Sequence, residues 1–192
     1  MTRIGIVGAD GRMGHALLMA CLESTEASLG AAVERPGSAA VGRDAAELVG
    51  RHPVGIAVTD SLTSVIGKLD VVIDFTRPES TLAHLALCVE HGVRLVVGTT
   101  GFSPEQRNTL ETSAQSLPLV VAPNMSVGVN LSLKLLEIAA RVIGDRTDIE
   151  ITEAHHRHKV DAPSGTALRM GEVVAHALGH TLDECAVYSR EG

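Results

Sequence analysis

Short apolar runs and longer amphipathic stretches alternate along the first two thirds of the chain. Residues 3–7, 29–34, 54–58, 71–75, 94–97 and 119–122 are brief runs rich in β-branched residues. Residues 13–23, 79–91 and 104–115 fill several of the gaps with apolar positions at helical spacing. Continuous apolar strands separated by helices predict βαβ units around a parallel sheet buried on both faces. Residues 1–125 therefore predict a Rossmann-type, doubly wound α/β sheet.

Beyond Asn124 the texture changes. Residues 127–142 predict a long helix, and 148–154 alternate with one polar face, as a half-solvated or interface strand does. Another helix is predicted over 167–178, and a further strand candidate precedes Ser189. Residues 126–192 thus predict a second domain of α+β type whose sheet is begun but unfinished. Nothing in the chain reads as an internal repeat.

Composition narrows the function classes. With 45% hydrophobic and 20% charged residues, the chain is neither disordered nor fibrous. A net charge of −7 has the wrong sign for a phosphate-backbone binder. Phe75, Phe102 and Tyr188 are the whole aromatic complement, too few to stack single-stranded nucleic acid. Nucleic acid is excluded as a main partner, and no apolar run reaches the ~18 residues of a membrane span. Asp10 and Arg12 interrupt the start too early for a secretory signal. Cys21, Cys88 and Cys185 are odd in number and widely spaced, so reduced thiols and a cytoplasmic location are expected.

The first strand runs directly into Gly8-Ala9-Asp10-Gly11-Arg12-Met13-Gly14, a G-x-x-G-x-x-G turn. The bare pattern is weak, but its place between a strand and an amphipathic helix makes it a dinucleotide fingerprint. Gly8 permits the tight turn, Gly11 lets backbone approach a pyrophosphate, and Gly14 lets the helix pack closely. The competing reading is a purely structural glycine turn. Glu34 closes the second strand, where an acid would bond ribose hydroxyls, and Arg35 beside it can pair with a 2′-phosphate. The pair suggests tolerance of both NADH and NADPH, unless it is only a solvated ion pair at a strand end. Gly98, Thr99 and Thr100 follow one strand, and Ala122, Pro123, Asn124 and Met125 follow another. Both segments lie beyond the carboxyl ends of strands, where a nicotinamide-ribose would arrive. The turn from Asp74 to Pro78 has the same position.

The densest chemistry lies in Glu153-Ala154-His155-His156-Arg157-His158-Lys159, followed by Val160-Asp161-Ala162-Pro163-Ser164-Gly165-Thr166-Ala167. Ser164 can cap the following helix, leaving the N–H groups of Gly165 and Thr166 to face an anion. Imidazoles, an ammonium group and a helix N-terminus then converge on a site for a small, multiply negative molecule, with groups able to donate protons. A transition metal is disfavoured by the neighbouring cations Arg157 and Lys159, so no metal is expected. A merely solvated charged turn is the remaining alternative.

The tract from Glu153 to Ala167 resembles the signature of the dihydrodipicolinate reductase family of lysine synthesis. Gly8–Gly14, Glu34-Arg35, Asp74–Pro78, Gly98–Phe102 and Ser126-Val127-Gly128-Val129-Asn130 fit that family's other motifs in order, so the resemblance covers the whole chain. It implies NAD(P)H-dependent reduction of 4-hydroxy-tetrahydrodipicolinate to tetrahydrodipicolinate, in the diaminopimelate route. It implies that His155 is the proton donor and that Lys159 assists it and neutralises a substrate carboxylate. His156, Gly165 and Thr166 would hold the dicarboxylate. Gly8 to Met13, Glu34, Arg35, Gly98 to Thr100 and Ala122 to Met125 would line the cofactor site. It further implies a homotetramer for the full-length protein, and a family sequence that continues past Arg190-Glu191-Gly192. A dinucleotide-binding fragment with little or no turnover is the alternative expectation.

Overall fold

The computed structural model of the protein describes residues 1–157 and 162–188. The chain divides into two compact units, Met1–Pro123 and Asn124–Gly192.

The first unit is a five-stranded, wholly parallel sheet in the order β2-β1-β3-β4-β5. The strands are β1 (Thr2–Val7), β2 (Ala27–Val33), β3 (Val71–Asp74), β4 (Arg94–Val97) and β5 (Leu119–Val121). Helices α1 (Arg12–Glu23), α2 (Pro78–His91) and α3 (Pro104–Ser113) connect them. Successive residues of β1 serve opposite faces: Ile6 packs with Leu18 and Cys21 of α1, whereas Val7 joins Leu85, Cys88 and Leu110 of α2 and α3. Fully burying a side chain such as Leu18 or Leu85 contributes about 2 kcal/mol, whereas the exposed Arg3–Asp70 ion pair is screened by water and adds little. Core burial therefore dominates the stability of this unit.

The helix ends follow local chemistry. Pro78 begins α2, where its missing N–H costs nothing, and Gly92 closes it at φ +65°. Ser103 and Gln106 form a reciprocal capping box at the start of α3. Cys21 and Cys88 are both buried in this unit.

Residues 54–58, expected as a strand, do not join the sheet. The Asp44 carboxylate accepts the N–H groups of Val54, Gly55 and Ile56 at 3.1, 2.7 and 3.2 Å, so a side chain has taken donors that a strand ladder needs. Only isolated bridges remain, Val33 to Thr59 and Asp44 to Ala57.

Among its described residues the second unit is helical: α4 (Val127–Ile143), α5 (Gly165–Ala177) and the short α6 (Leu182–Cys185). Helices α4 and α5 pack on one another, and α4 leaves Val127, Leu131, Leu135 and Val142 exposed along one side. Residues 148–154 join no strand ladder among the described residues, which corrects the strand expected there. Alternation supplies a face but not a partner, and no described residue offers this segment a ladder. No helix among the described residues is long and apolar enough to cross a membrane.

Candidate functional site

The glycine turn after β1 is built as a dinucleotide cradle requires. Gly8 has φ +69°, a conformation that side chains resist. A Cβ on Gly14 would lie 2.2 Å from the carbonyl oxygen of Gly8 and 2.5 Å from that of Ala9. Only glycine lets α1 start this close to the turn. Gly11 caps α1 with no side-chain hydrogen bond, and no acidic residue sits in the first turn. The positive end of the helix is thus left to an external anion. Ala9 is buried and can offer only backbone, whereas Asp10, Gly11, Arg12 and Met13 are exposed.

Glu34 lies just beyond β2. Its two carboxylate oxygens accept the N–H groups of Asp10 and Arg35, each at 3.0 Å. The acid is thereby tied to the glycine turn, with lone pairs left over for hydroxyl donors. Arg35 is exposed beside it.

At the ends of β3 and β4 lies a buried polar cluster. Asp74 and Thr81 are fully buried and Thr99 nearly so. One oxygen of Asp74 accepts from the Thr76 N–H at 2.8 Å and the Thr76 hydroxyl at 2.6 Å. The other lies 2.7 Å from His84 Nδ1. Thr81 donates to the Thr99 hydroxyl at 2.9 Å, which in turn faces Asp74 at 3.4 Å. Burial alone would raise the Asp74 carboxyl, but the hydrogen bonds from His84 and Thr76 outweigh it and hold the group below the usual carboxylate range. The carboxylate only accepts, so His84 must carry its hydrogen on Nδ1. Sequence reasoning noted the Asp74 turn by position and missed Thr81 and His84. Their spacing of three on the buried side of α2 was the available signal. The Thr99 hydroxyl is spent inside this cluster, whereas Thr100 is exposed. Gly98 packs against Phe75, whose ring a Cβ would meet at 2.0 Å.

In the second unit, Glu153 organises the histidine tract. It accepts the Ser164 N–H at 2.7 Å, bonds the Ser164 hydroxyl, and lies 2.9 Å from His155 Nε2. Ser164 also caps α5, accepting the Ala167 N–H at 3.1 Å. These bonds, from the Ser164 hydroxyl first, then its N–H and then His155, lower the Glu153 carboxyl to about 2. Ionised, it fixes a hydrogen on His155 Nε2. One buried serine thus joins exposed His155 to the start of α5, where Gly165 and Thr166 are the first two helical residues and also exposed. Their N–H groups have no intrahelical acceptor. His156 is exposed nearby in sequence. Lys159, with His158, lies outside the described residues.

Ala122 and Pro123 end the first unit, while Asn124 and Met125 open the second. Asn124 accepts the Ser126 N–H at 2.8 Å, and its carbonyl accepts from the Asn130 side chain at 3.0 Å, shaping the entry to α4. No group of metal-ligating side chains forms among the described residues.

Residues 2–125 match the family model for the dihydrodipicolinate reductase N-terminus, and residues 128–190 the model for its C-terminus. The chain belongs to the dihydrodipicolinate reductase family. It is 62% identical over 190 residues to a 4-hydroxy-tetrahydrodipicolinate reductase of Methylococcus capsulatus, covering 99% of this chain and 71% of that one. It is 57% identical to the enzyme of the same name from Hahella chejuensis, covering all of this chain and 72% of that one. Among solved structures it resembles dipicolinate-bound dihydrodipicolinate reductase from Paenisporosarcina sp. TG-14, with TM-score 0.73 and 32% identity over 92% of this chain and 66% of that one. Members of this reductase family are oxidoreductases, and the Rossmann-type unit with its glycine cradle implies a nicotinamide cofactor.

Proposed function

We propose that the protein reduces 4-hydroxy-tetrahydrodipicolinate to tetrahydrodipicolinate with NADH or NADPH, in the diaminopimelate route to lysine. The observation that carries this reading is the Glu153–Ser164 clamp, which sets a histidine beside a capped helix N-terminus. That pairing suits a small dicarboxylate that must also receive a proton, and the Paenisporosarcina relative was solved with dipicolinate bound.

Each residue has a role that its chemistry allows. Gly8, Gly11 and the start of α1 cradle the pyrophosphate. Glu34 accepts from the adenosine ribose, and Arg35 accommodates a 2′-phosphate. Gly98, Thr100, Ala122 and Pro123, with Asn124 and Met125, border the nicotinamide half. When bound, the nicotinamide supplies the hydride. Gly165 and Thr166 hold a substrate carboxylate through backbone N–H groups, with His156 beside them. His155 holds the proton for the carbon next to the reduced one. Lys159 offsets the negative charge that builds on the substrate. Assembly as a homotetramer belongs to the same reading.

The test is a steady-state assay of NADH and NADPH oxidation with enzymatically generated substrate. Turnover that depends on both cofactor and substrate is expected. Cofactor binding with no turnover would replace this reading with that of a dinucleotide-binding protein.

A further inference from the structure

The buried cluster at the ends of β3 and β4 has no part in the roles above, yet it sits beneath the segments assigned to the nicotinamide half. The sheet order gives that assignment its physical basis. Glu34 follows β2 and the glycine turn follows β1, so on that reading the adenosine ribose and pyrophosphate occupy one side of the carboxyl edge. The rest of a dinucleotide must then continue over β3 and β4, roughly 5 and 10 Å further along at the spacing of adjacent strands. Those strands end in Asp74 and Val97, followed by Thr76 and by Gly98-Thr99-Thr100.

We propose that Asp74 and His84 are positioning residues for the nicotinamide half of the cofactor, holding the β3 and β4 loops in register through Thr76, Thr81 and Thr99. This rests on the nucleotide-binding reading above. Asp74 is the hub: one oxygen fixes the β3 loop through both donors of Thr76, and the other is held by His84 from α2. Thr81, one turn before His84 on the same helix, reaches the β4 loop through Thr99. Packing of Phe75 on Gly98 ties the two loops together a second time. Thr76, His84 and Thr99 all point donors at one buried carboxylate, Thr81 joins it through Thr99, and no buried polar side-chain atom among the described residues is left unpaired. Removing His84 Nδ1 leaves Asp74 charged and short of a partner, so the loops must shift to resatisfy it. Neither Asp74 nor His84 needs to touch the cofactor for this effect.

The experiment compares two ligands, NADPH and the ADP-ribose that carries the same 2′-phosphate, the second lacking the nicotinamide ring. Affinities are measured by calorimetry for the wild-type protein, His84→Leu, His84→Asn and Thr81→Val. Asparagine places an amide donor near the position of Nδ1, and Thr81→Val removes only the hydroxyl relay. His84→Leu is expected to weaken NADPH about tenfold, the scale of one lost hydrogen bond to a charged group, with the 2′-phosphorylated ADP-ribose unchanged. His84→Asn should recover most of the loss, and Thr81→Val should show a smaller loss of the same selectivity. Equal losses for the two ligands, which general loosening would give, overturn the positioning role. So does unchanged NADPH affinity in a folded His84→Leu or, should leucine prevent folding, in Thr81→Val. A wild-type protein that binds neither ligand removes the nucleotide reading itself, and the positioning role with it.

Discussion

On the proposed reading, the two units would hold anions by different means. In the first, the cradle is backbone: glycines at Gly8, Gly11 and Gly14, an uncapped helix start, and an acid tied down by two N–H groups. In the second, the helix start at Gly165 and Thr166 would be completed by side chains, with Glu153 and Ser164 fixing His155 at an exposed surface. Each unit even contains a carboxylate, an imidazole and a hydroxyl in contact. In Asp74–His84–Thr76 the carboxylate is fully buried and the histidine 19% exposed, whereas in Glu153–His155–Ser164 the carboxylate is 30% and the histidine 41% exposed. On the proposed reading, the same three groups serve as a clamp where the carboxylate is buried and as a proton-handling site where the histidine is open to water. Burial, more than residue identity, separates the two uses.

The sharpest way to break this comparison is at the open site. His155→Gln, and separately Lys159→Ala, should lower kcat by ~10²-fold or more, the range for a general acid, while NADPH affinity measured by calorimetry stays unchanged. Near-normal turnover in either variant removes that residue from the chemistry. Backbone cradles should fail differently. Gly14→Ala forces a Cβ into two carbonyl oxygens, so a roughly tenfold or greater loss of affinity for both cofactors is expected, with about 1–3 kcal/mol of stability lost in urea unfolding.

A smaller effect separates the two cofactors. Arg35→Ala should cost NADPH about tenfold, ~1.4 kcal/mol, and leave NADH within about twofold. Equal losses would show that Arg35 does not read the 2′-phosphate. The smallest effect is on pH dependence. The folded-state value for Glu153 is lowered from 4.5 to about 2. Its contribution to stability is therefore complete above about pH 4.5 and is lost as pH falls towards about 2. In Glu153→Gln, the urea midpoint should decline less steeply across that window than in the wild type. Parallel curves would mean that the clamp adds nothing to folding.

Much of the first unit was legible because its strands are continuous apolar runs, and a parallel sheet buried on both faces leaves that trace. The glycine turn was legible because its context, strand before and helix after, is local. Residues 54–58 misled because an apolar run does not reveal that Asp44 has taken its donors. Residues 148–154 misled because alternation says nothing of a pairing partner. The Asp74 cluster was illegible for a third reason: its members come from two strand ends and a helix, 25 residues apart at the extremes. At the histidine tract, the capping role of Ser164 could be read locally. The fixing of His155 by Glu153 could not, since alternate residues of an extended chain ordinarily point the same way without necessarily touching.

The distribution of cysteines turns this protein into its own reporter of local opening. Burial, then the nearby Asp74 charge, pushes the Cys88 thiol up to about 12, and burial raises Cys21 as well. Both are thiols at neutral pH, shielded from reagents that attack thiolate. Cys185, on α6, is exposed. An alkylating dye should therefore mark the second unit at a single native position and reach the first only when α1 or α2 lifts from the sheet. The rate of that second labelling, followed by mass, measures how often the nucleotide unit breathes without any engineered probe.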